Sequence, residues 1–287
     1  MTSTSRPLDR ADRSGVLHPD NLRRYAATIH DAHASVAAVV DHFWTVAWHL
    51  PDGERIQQHV VTDPAVTLTV EAGNVPAELV VTGVHRRTWV REIAGWGSAF
   101  AIRLRPAGLA VVSDLTPDAI ADRTLAVVPA LDARLHTLMR AVADEPDVAS
   151  RIARATALIR TLVAERPLTA RQRLANDAVA ALMRGEPLPP EPSARSVQRA
   201  LRETIGQGPA WVRRWVRLQE VVRQFAVDGE AGAAGIAARL GYVDQSHLVN
   251  DFRAAVGMTP GEYLRSLAVS SSPAGSPADG RSSTTPA

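Results

Sequence analysis

The sequence predicts an α+β protein, in which a β-rich sandwich or barrel domain precedes several helices and a C-terminal all-α domain. Two observations support this prediction. Strand-forming residues alternate with period two from residue 42 to about residue 105, and the apolar period changes to 3.6 after Pro106. A third observation is that residues suited to a core become scarce at both ends of the chain, which predicts disordered tails.

Short segments between turn signals account for the β-rich part. A turn at 51–53 follows the first segment, and Gly73 and Asn74 end the third. The predicted strands are 43–48, 55–61, 66–70, 79–81, 88–90 and 100–104. Their length and spacing are typical of a sandwich or barrel.

Apolar stripes at helical spacing follow Pro106. One stripe consists of Leu131, Leu135, Leu138 and Val142, and another of Ile152, Ala155, Ile159 and Val163. Alanine-rich helices continue as far as Met183, where the proline-rich segment 185–192 interrupts them, and further helices follow. The predicted division is therefore a tail at 1–19, a β-rich domain at 20–125, a helical linker region at 126–185, a helical domain at 186–268 and a tail at 269–287.

Composition excludes several classes of protein. The chain of 287 residues has no cysteine, which rules out disulfides, thiolate metal sites and cysteine nucleophiles. All 32 basic residues are arginine, but a net charge of +2 does not by itself point to nucleic acid. No segment approaches the ~20 apolar residues of a membrane span or the apolar stretch of a signal peptide, so we expect a cytoplasmic protein.

The segment 232–264 has the pattern of a helix-turn-helix. Gly241 stands where a left-handed helix end is needed, and Asp244 stands where a helix cap is needed. Leu248 and Phe252 face the preceding helix, which leaves a polar face for DNA. The alternative, on spacing alone, is a three-helix packing unit with no role in DNA binding.

The run Gly-Tyr-x-Asp-Gln-Ser-His-Leu from Gly241, followed by Gly-Met-Thr-Pro-x-x-Tyr from Gly257, resembles the second helix-turn-helix of AraC/XylS-type regulators. The likeness runs without gaps from Ile236 to Tyr263. It implies a sequence-specific transcription regulator with two such units joined by a long helix, here at 209–227.

The segment 193–206 is similar to the family's first recognition helix, with Ser193 as its cap. Where the family has a short helix and a glycine turn before it, this sequence has the proline-rich segment 186–192. The supporting helix is therefore shortened, displaced to 178–184, or missing. This departure predicts that the second unit dominates DNA binding.

The resemblance implies which side chains contact DNA. The implied residues are Arg195, Gln198, Arg199 and Arg202 in the first unit and Gln245, Ser246, His247, Asn250 and Arg253 in the second. Arginine can bind guanine with two hydrogen bonds, and Gln or Asn can bind adenine in the same way. From 193 to 225 seven arginines stand against two glutamates, an excess that suits phosphate contacts. For Arg202 and His247 the alternative is a solvated surface position.

The segments 43–51 and 103–108 resemble the N-terminal β-domain of an AraC-type subgroup. This likeness implies small-molecule sensing or dimerisation. The residues expected to line an apolar pocket are Trp44, Trp48, Trp89 and Trp96, with a place in the β-core as the alternative. The histidines His42, His49, His59 and His85 lack the spacing of a metal site, and we predict no metal, cofactor or catalytic residue.

The predicted partners are operator DNA as a double strand, a small-molecule effector, a second copy of the chain and, for an activator, RNA polymerase. The main alternative function is a sensor or assembly protein whose DNA-binding domain has partly decayed, because of the proline-rich segment. An enzyme is a third class, which the absence of a nucleophile elbow, a phosphate loop or paired carboxylates disfavours.

Overall fold

The computed structural model describes residues 4–9, 12, 14–188, 193–227 and 233–271. Within these residues an antiparallel β structure comes first and a mainly helical part follows, which confirms the predicted α+β class and its order.

Within the described residues, nine strands form two sheets. In chain order they are β1 (Ser5–Pro7), β2 (Tyr25–Asp31), β3 (Val40–His49), β4 (Arg55–Val60), β5 (Thr67–Gly73), β6 (Leu79–Thr82), β7 (Trp89–Ala94), β8 (Trp96–Leu104) and β9 (Thr124–Ala126). Seven of them form one sheet in the order β1-β2-β3-β8-β5-β6-β9, and β4 pairs with β7 in the other. The six segments predicted as strands correspond to β3 to β8, with ends that differ by up to four residues.

The register gives the large sheet two chemically different faces. Phe43, Ile102, Leu68 and Val81 are cross-strand partners in one row, and all four are buried in the main core. In the next row Trp44, Ala101, Thr69 and Val80 are partners. Since successive side chains of a strand point to opposite faces, the second row belongs to the face away from that core.

Ten α-helices are described, in addition to short 3-10 helices at Pro19–Arg23 and Ala34–Val36. The α-helices are α1 (Leu109–Val112), α2 (Pro117–Ile120), α3 (Ala133–Ala143), α4 (Val148–Glu165), α5 (Ala170–Met183), α6 (Ala194–Ile205), α7 (Pro209–Val227), α8 (Ala233–Arg239), α9 (Gln245–Val256) and α10 (Pro260–Ser271). The two predicted apolar stripes lie on α3 and α4. Leu135 and Val142 of α3 and Ile159 of α4 are fully buried in the core cluster that includes Phe43, so these two helices cover the apolar face of the sheet.

The N-terminal segment corrects one expectation. The sequence predicts a disordered tail at 1–19, but Ser5–Pro7 pairs with β2 as an edge strand, and Leu17 is fully buried. These residues gain order from tertiary contacts that their polar composition does not reveal. At the other end, α10 continues to Ser271, and the rest of the tail predicted at 269–287 lies outside the described residues.

Asp132 joins the start of α3 to the turn after α1. One carboxylate oxygen accepts from the Leu135 amide (2.9 Å), and the other accepts from the Ser113 hydroxyl (2.5 Å) and the Asp114 amide (2.7 Å). Burial alone would raise the pKa of Asp132, but these hydrogen bonds hold it below the ordinary range. We infer that this carboxylate fixes how α3 enters the core.

We expect Asp132→Ala to lower the free energy of unfolding by about 2–4 kcal/mol, because buried donors lose their acceptor along with a helix cap. Asp147→Ala is the matched control, since Asp147 caps α4 at the surface and accepts from Ser150 (2.9 Å). Urea unfolding of both variants checks the difference. Equal losses would show that Asp132 acts only as a helix cap.

Candidate nucleic-acid interface

The turn between α8 and α9 depends on Gly241. Its φ of +70° lies in the left-handed region, which costs an L-residue about 1–2 kcal/mol and glycine almost nothing. The Tyr242 amide donates to the Ala237 carbonyl (3.0 Å) and so ends α8. Asp244 then caps α9 by accepting from the His247 amide (2.7 Å). The structure therefore contains the helix, turn and helix that the sequence predicts here.

Helix α9 has a buried apolar face and an open polar one. Leu248 and Phe252 are fully buried in a core that they share with α7 and α10. The exposed side chains include Gln245, Ser246, His247, Asn250 and Arg253. The structure thus brings all the residues predicted for DNA contact in the second unit onto one accessible helix.

A partly buried polar network holds α9 against α7. The Arg214 guanidinium donates to one oxygen of Asp251, and the Tyr242 hydroxyl donates to the other (3.1 Å). The Arg217 guanidinium lies 4.8 Å from the centre of the Tyr242 ring. Burial, together with the negative charge of Asp251, raises the pKa of Tyr242 and keeps its hydroxyl protonated. The orientation of the exposed face is therefore set by ionic and cation–π contacts as well as by apolar packing.

These contacts reduce the number of arginines that are free to bind phosphate. Arg214 pairs with Asp251, Arg223 pairs with Glu220, and Arg217 is held over a ring. Of the seven arginines in residues 193–225, the exposed ones without an ion-pair partner in the described structure are Arg195, Arg199, Arg202 and Arg213. The basic excess counted in the sequence is thus only partly available to phosphates.

The first unit keeps its recognition helix and has a displaced support. Ser193 caps α6, and Gly206 ends it with a φ of +70°. The support is α5, because its residues Ala178 and Leu182 lie in one core cluster with Leu201 of α6. Of the three alternatives left by the sequence, displacement is the one observed. By its packing α5 is part of the helix-turn-helix core, which corrects its predicted place in a linker region at 126–185.

The side chains predicted for the first unit do not all face the same way. Arg195, Arg199 and Arg202 are exposed and follow one another at helical spacing. Gln198 is half-buried, and its amide lies within 2.8 Å of where a Cβ on Gly208 would be. A packing position at the start of α7 therefore suits Gln198 better than a free position for base contact. Residues 189–192 of the proline-rich segment lie outside the described residues.

The N-terminal part contacts the helix-turn-helix core directly, which sequence reasoning misses. Leu17 and Val61 are fully buried in the cluster that contains Tyr263. The Tyr263 hydroxyl donates to the Leu17 carbonyl, and the Thr88 amide donates to the Ala255 carbonyl (3.0 Å). Val16 and Leu17 form a pair of apolar residues that is too short for an apolar period to mark Leu17 as a core position.

A cavity of about 490 Å³ lies on the sheet face away from the main core. Inward-pointing residues of both sheets line it, together with the segment before β2. Its wall contains three arginine–carboxylate ion pairs, Arg6–Asp12, Arg91–Glu71 and Arg103–Asp63. Arg91 donates to both oxygens of Glu71, which is 4% exposed, and Arg103 lies 2.9 Å from Asp63. The size is that of a small-molecule site.

The predicted tryptophans divide between the cavity and the surface. Trp44, Trp48 and Trp89 line the cavity, and the Trp89 indole donates to the Thr124 hydroxyl (3.0 Å). The Trp44 indole N–H is buried without a partner in the described structure. Trp96 is 60% exposed at the start of β8 and lies outside the cavity wall. We therefore leave Trp96 out of the proposed ligand site.

The four histidines considered for a metal site do not form one. Within the described ranges no three His, Asp or Glu side chains are grouped to hold a metal ion. Burial lowers the pKa of His59 and His85, which favours their neutral forms.

Taken together, α5 to α10 define a helix-turn-helix protein whose two units share the connecting helix α7. Residues 192–266 match a family model described as a helix-turn-helix domain, and residues 28–126 match one described as a domain of unknown function, DUF6597. The chain therefore carries an AraC-type helix-turn-helix domain, which an N-terminal domain precedes. None of the helices in the described ranges combines the length and apolar character that crossing a membrane requires.

Solved structures of ToxT from Vibrio cholerae are similar to this chain at a low level. ToxT of strain O395 has 10% identity and a TM-score of 0.35, and the match covers 78% of this chain and 98% of that one. The wild-type ToxT of strain SCE256 with an unsaturated fatty acid bound has 10% identity and a TM-score of 0.28, and the match covers 77% of this chain and 90% of that one. No curated protein sequence matches the chain.

We expect Gly241→Ala to destabilise the second unit by about 1–2 kcal/mol, because alanine is strained at this φ although no atom lies within 4 Å of the added carbon. Gly235→Ala, inside α8, is the matched control and should be neutral or stabilising by about 0.5–1 kcal/mol. Hydrogen exchange of the α9 amides measures both effects. Unchanged protection in Gly241→Ala would contradict the assigned turn.

Proposed function

We propose that this protein is a sequence-specific DNA-binding transcription regulator of AraC type. The observation that carries the proposal is the exposed polar face of α9, with Gln245, His247 and Asn250, in a unit that lies within the helix-turn-helix domain matched at residues 192–266. A helix of this kind fits the major groove, where amide side chains can read base edges.

The proposal places α6 and α9 in successive major-groove segments of operator DNA, about one helical turn apart. The exposed arginines Arg195, Arg199, Arg202 and Arg213 would contact phosphates or bases beside them. Binding as a homodimer and contact with RNA polymerase by an activator belong to the same proposal. So does a cytoplasmic location, where a regulator of this kind reaches its DNA.

We propose further that the N-terminal domain senses a small molecule in the 490 Å³ cavity. Trp44, Trp48 and Trp89 supply aromatic surface there, and the ion pairs Arg91–Glu71 and Arg103–Asp63 supply polar groups. No catalytic residue, metal or cofactor enters the proposal. The competing function is a sensor or assembly protein with a partly decayed DNA-binding domain, which the displaced support of α6 favours.

We expect Gln245→Ala and Asn250→Ala each to weaken binding to the upstream region of the protein's own gene by about 1–3 kcal/mol and to relax the base preference at one position. Both side chains are exposed, so thermal stability should stay unchanged. Fluorescence anisotropy with operator variants measures affinity and preference. Equal affinity of both variants and the parent would favour the decayed-domain function.

A second comparison tests the expected asymmetry between the units. The double variant Arg195→Ala/Arg199→Ala should weaken binding to all operator variants by similar factors. The slope of the logarithm of the binding constant against the logarithm of the salt concentration should become shallower by about one for each lost phosphate contact. Arg160→Ala, an exposed position on α4, controls for loss of charge. If this double variant instead loses base preference while Gln245→Ala/Asn250→Ala keeps it, the first unit is the main source of sequence preference, contrary to the prediction.

A further inference from the structure

The segment that follows β4 has the cavity on one side and the helix-turn-helix core on the other. Val60, Thr62 and Asp63 line the cavity, whereas Val61 is fully buried in the core cluster of the second unit. Successive side chains of an extended chain point to opposite sides, which places Val60 and Thr62 on the cavity side and Val61 on the other. The segment is thus a shared wall between the two parts of the molecule.

The Asp63 carboxylate makes the most specific contact across this wall. One oxygen lies 2.9 Å from an Arg103 nitrogen in the cavity, and the other accepts from the Gln219 amide (2.7 Å). Gln219 is fully buried on α7 and also donates to the Val61 carbonyl (3.2 Å). A cation in the cavity and the helix that joins the two units therefore share one carboxylate.

The unsatisfied groups of the cavity wall indicate what kind of ligand fits. Buried polar atoms without a partner in the described structure include the Arg103 Nε, the Trp44 Nε1, the Gln58 Nε2 and the Thr62 hydroxyl. All four can donate a hydrogen bond. Gln58 is 5% exposed, and its amide oxygen is already occupied by Asn21 (3.1 Å). A buried donor without an acceptor costs free energy, so a ligand with acceptor oxygens would be stabilised at this wall.

The acidic side chains of the wall, in contrast, already have partners. Both oxygens of Glu71 accept from Arg91, and both oxygens of Asp12 accept from Arg6 (2.7 Å each). Trp44 and Arg103 are diagonal neighbours, because their cross-strand partners are Ala101 and His42. Next to the unpaired donors there is thus an aromatic face on which a flat apolar body can lie.

We propose that the cavity binds an organic carboxylate with a flat apolar body, and that its oxygens accept from Arg103 in competition with Asp63. Binding of the ligand then weakens the ion pair between Asp63 and Arg103. The Asp63 carboxylate is freed to shift, which changes its hydrogen bond with Gln219 on α7. Cavity occupancy is coupled in this way to the helix that positions both recognition helices. This inference rests on the proposed sensing function and adds the ligand class and the coupling residue.

The ligand class is tested with the full-length protein and three matched probes: naphthaleneacetate, naphthaleneacetamide and naphthylethylamine. Isothermal titration calorimetry should show the acetate binding about tenfold or more tighter than the amine, and Arg103→Met should remove this preference. Trp44→Phe, which keeps the ring but loses the N–H, should weaken acetate binding and provides a second test if Arg103→Met fails to fold. An amine that binds as tightly as the acetate, or no binding by any probe, would overturn the ligand class.

The coupling is tested by DNA binding with and without saturating naphthaleneacetate. The parent protein should change its operator affinity by about fivefold or more, and Asp63→Asn should bind the probe but lose this response. Glu92→Gln is the matched control, since Glu92 forms an exposed ion pair with Arg55 outside the cavity wall and should keep the response. A full response in Asp63→Asn would overturn the coupling. Failure of the parent to bind DNA in either state would instead refute the proposed regulator, while the calorimetry still decides the ligand class.

Discussion

Helix α7 has to satisfy buried polar groups on two sides at once, and the rest of the molecule is arranged around this constraint. Toward the N-terminal domain, Trp215 and Gln219 donate to backbone carbonyls of the segment 61–62. Toward the second unit, Arg214 pairs with Asp251 of α9. An unpaired buried group costs about 1–3 kcal/mol, so each side favours one geometry. Because α7 contacts both, it fixes the position of the exposed face of α9 relative to the cavity wall.

The large sheet gains two functions from one register. Its row through Phe43 and Ile102 packs under α3 and α4, and the adjacent row through Trp44 and Thr69 faces the cavity. A slip of one residue would exchange the two faces and bury polar groups in the core. The hydrogen bonds that stabilise the sheet therefore also determine which side chains face the cavity.

Sequence reasoning finds the parts of this structure that have a local period or a capping pattern. The strands β3 to β8, the stripes of α3 and α4, and the turn at Gly241 carry such signals. Strand β2 does not alternate between buried and exposed residues, and Val16 and Leu17 are too short an apolar run to show a period. Their order depends on contacts distant in sequence. The same holds for Asp63, whose two partners lie 40 and 156 positions away along the chain.

The two helix-turn-helix units differ in what holds their exposed helix. Helix α9 is fixed by the ion pair to Arg214, by the Tyr242 hydroxyl and by a tight turn of one left-handed glycine. Helix α6 is supported by apolar packing on α5 and by an exposed ion pair between Arg171 and Glu203, and its Gln198 is turned toward the start of α7. Directional contacts restrict rotation of a helix about its axis more than apolar packing does, and base recognition depends on that rotation. Under the proposed function, α9 is therefore the expected source of sequence preference and α6 a source of affinity.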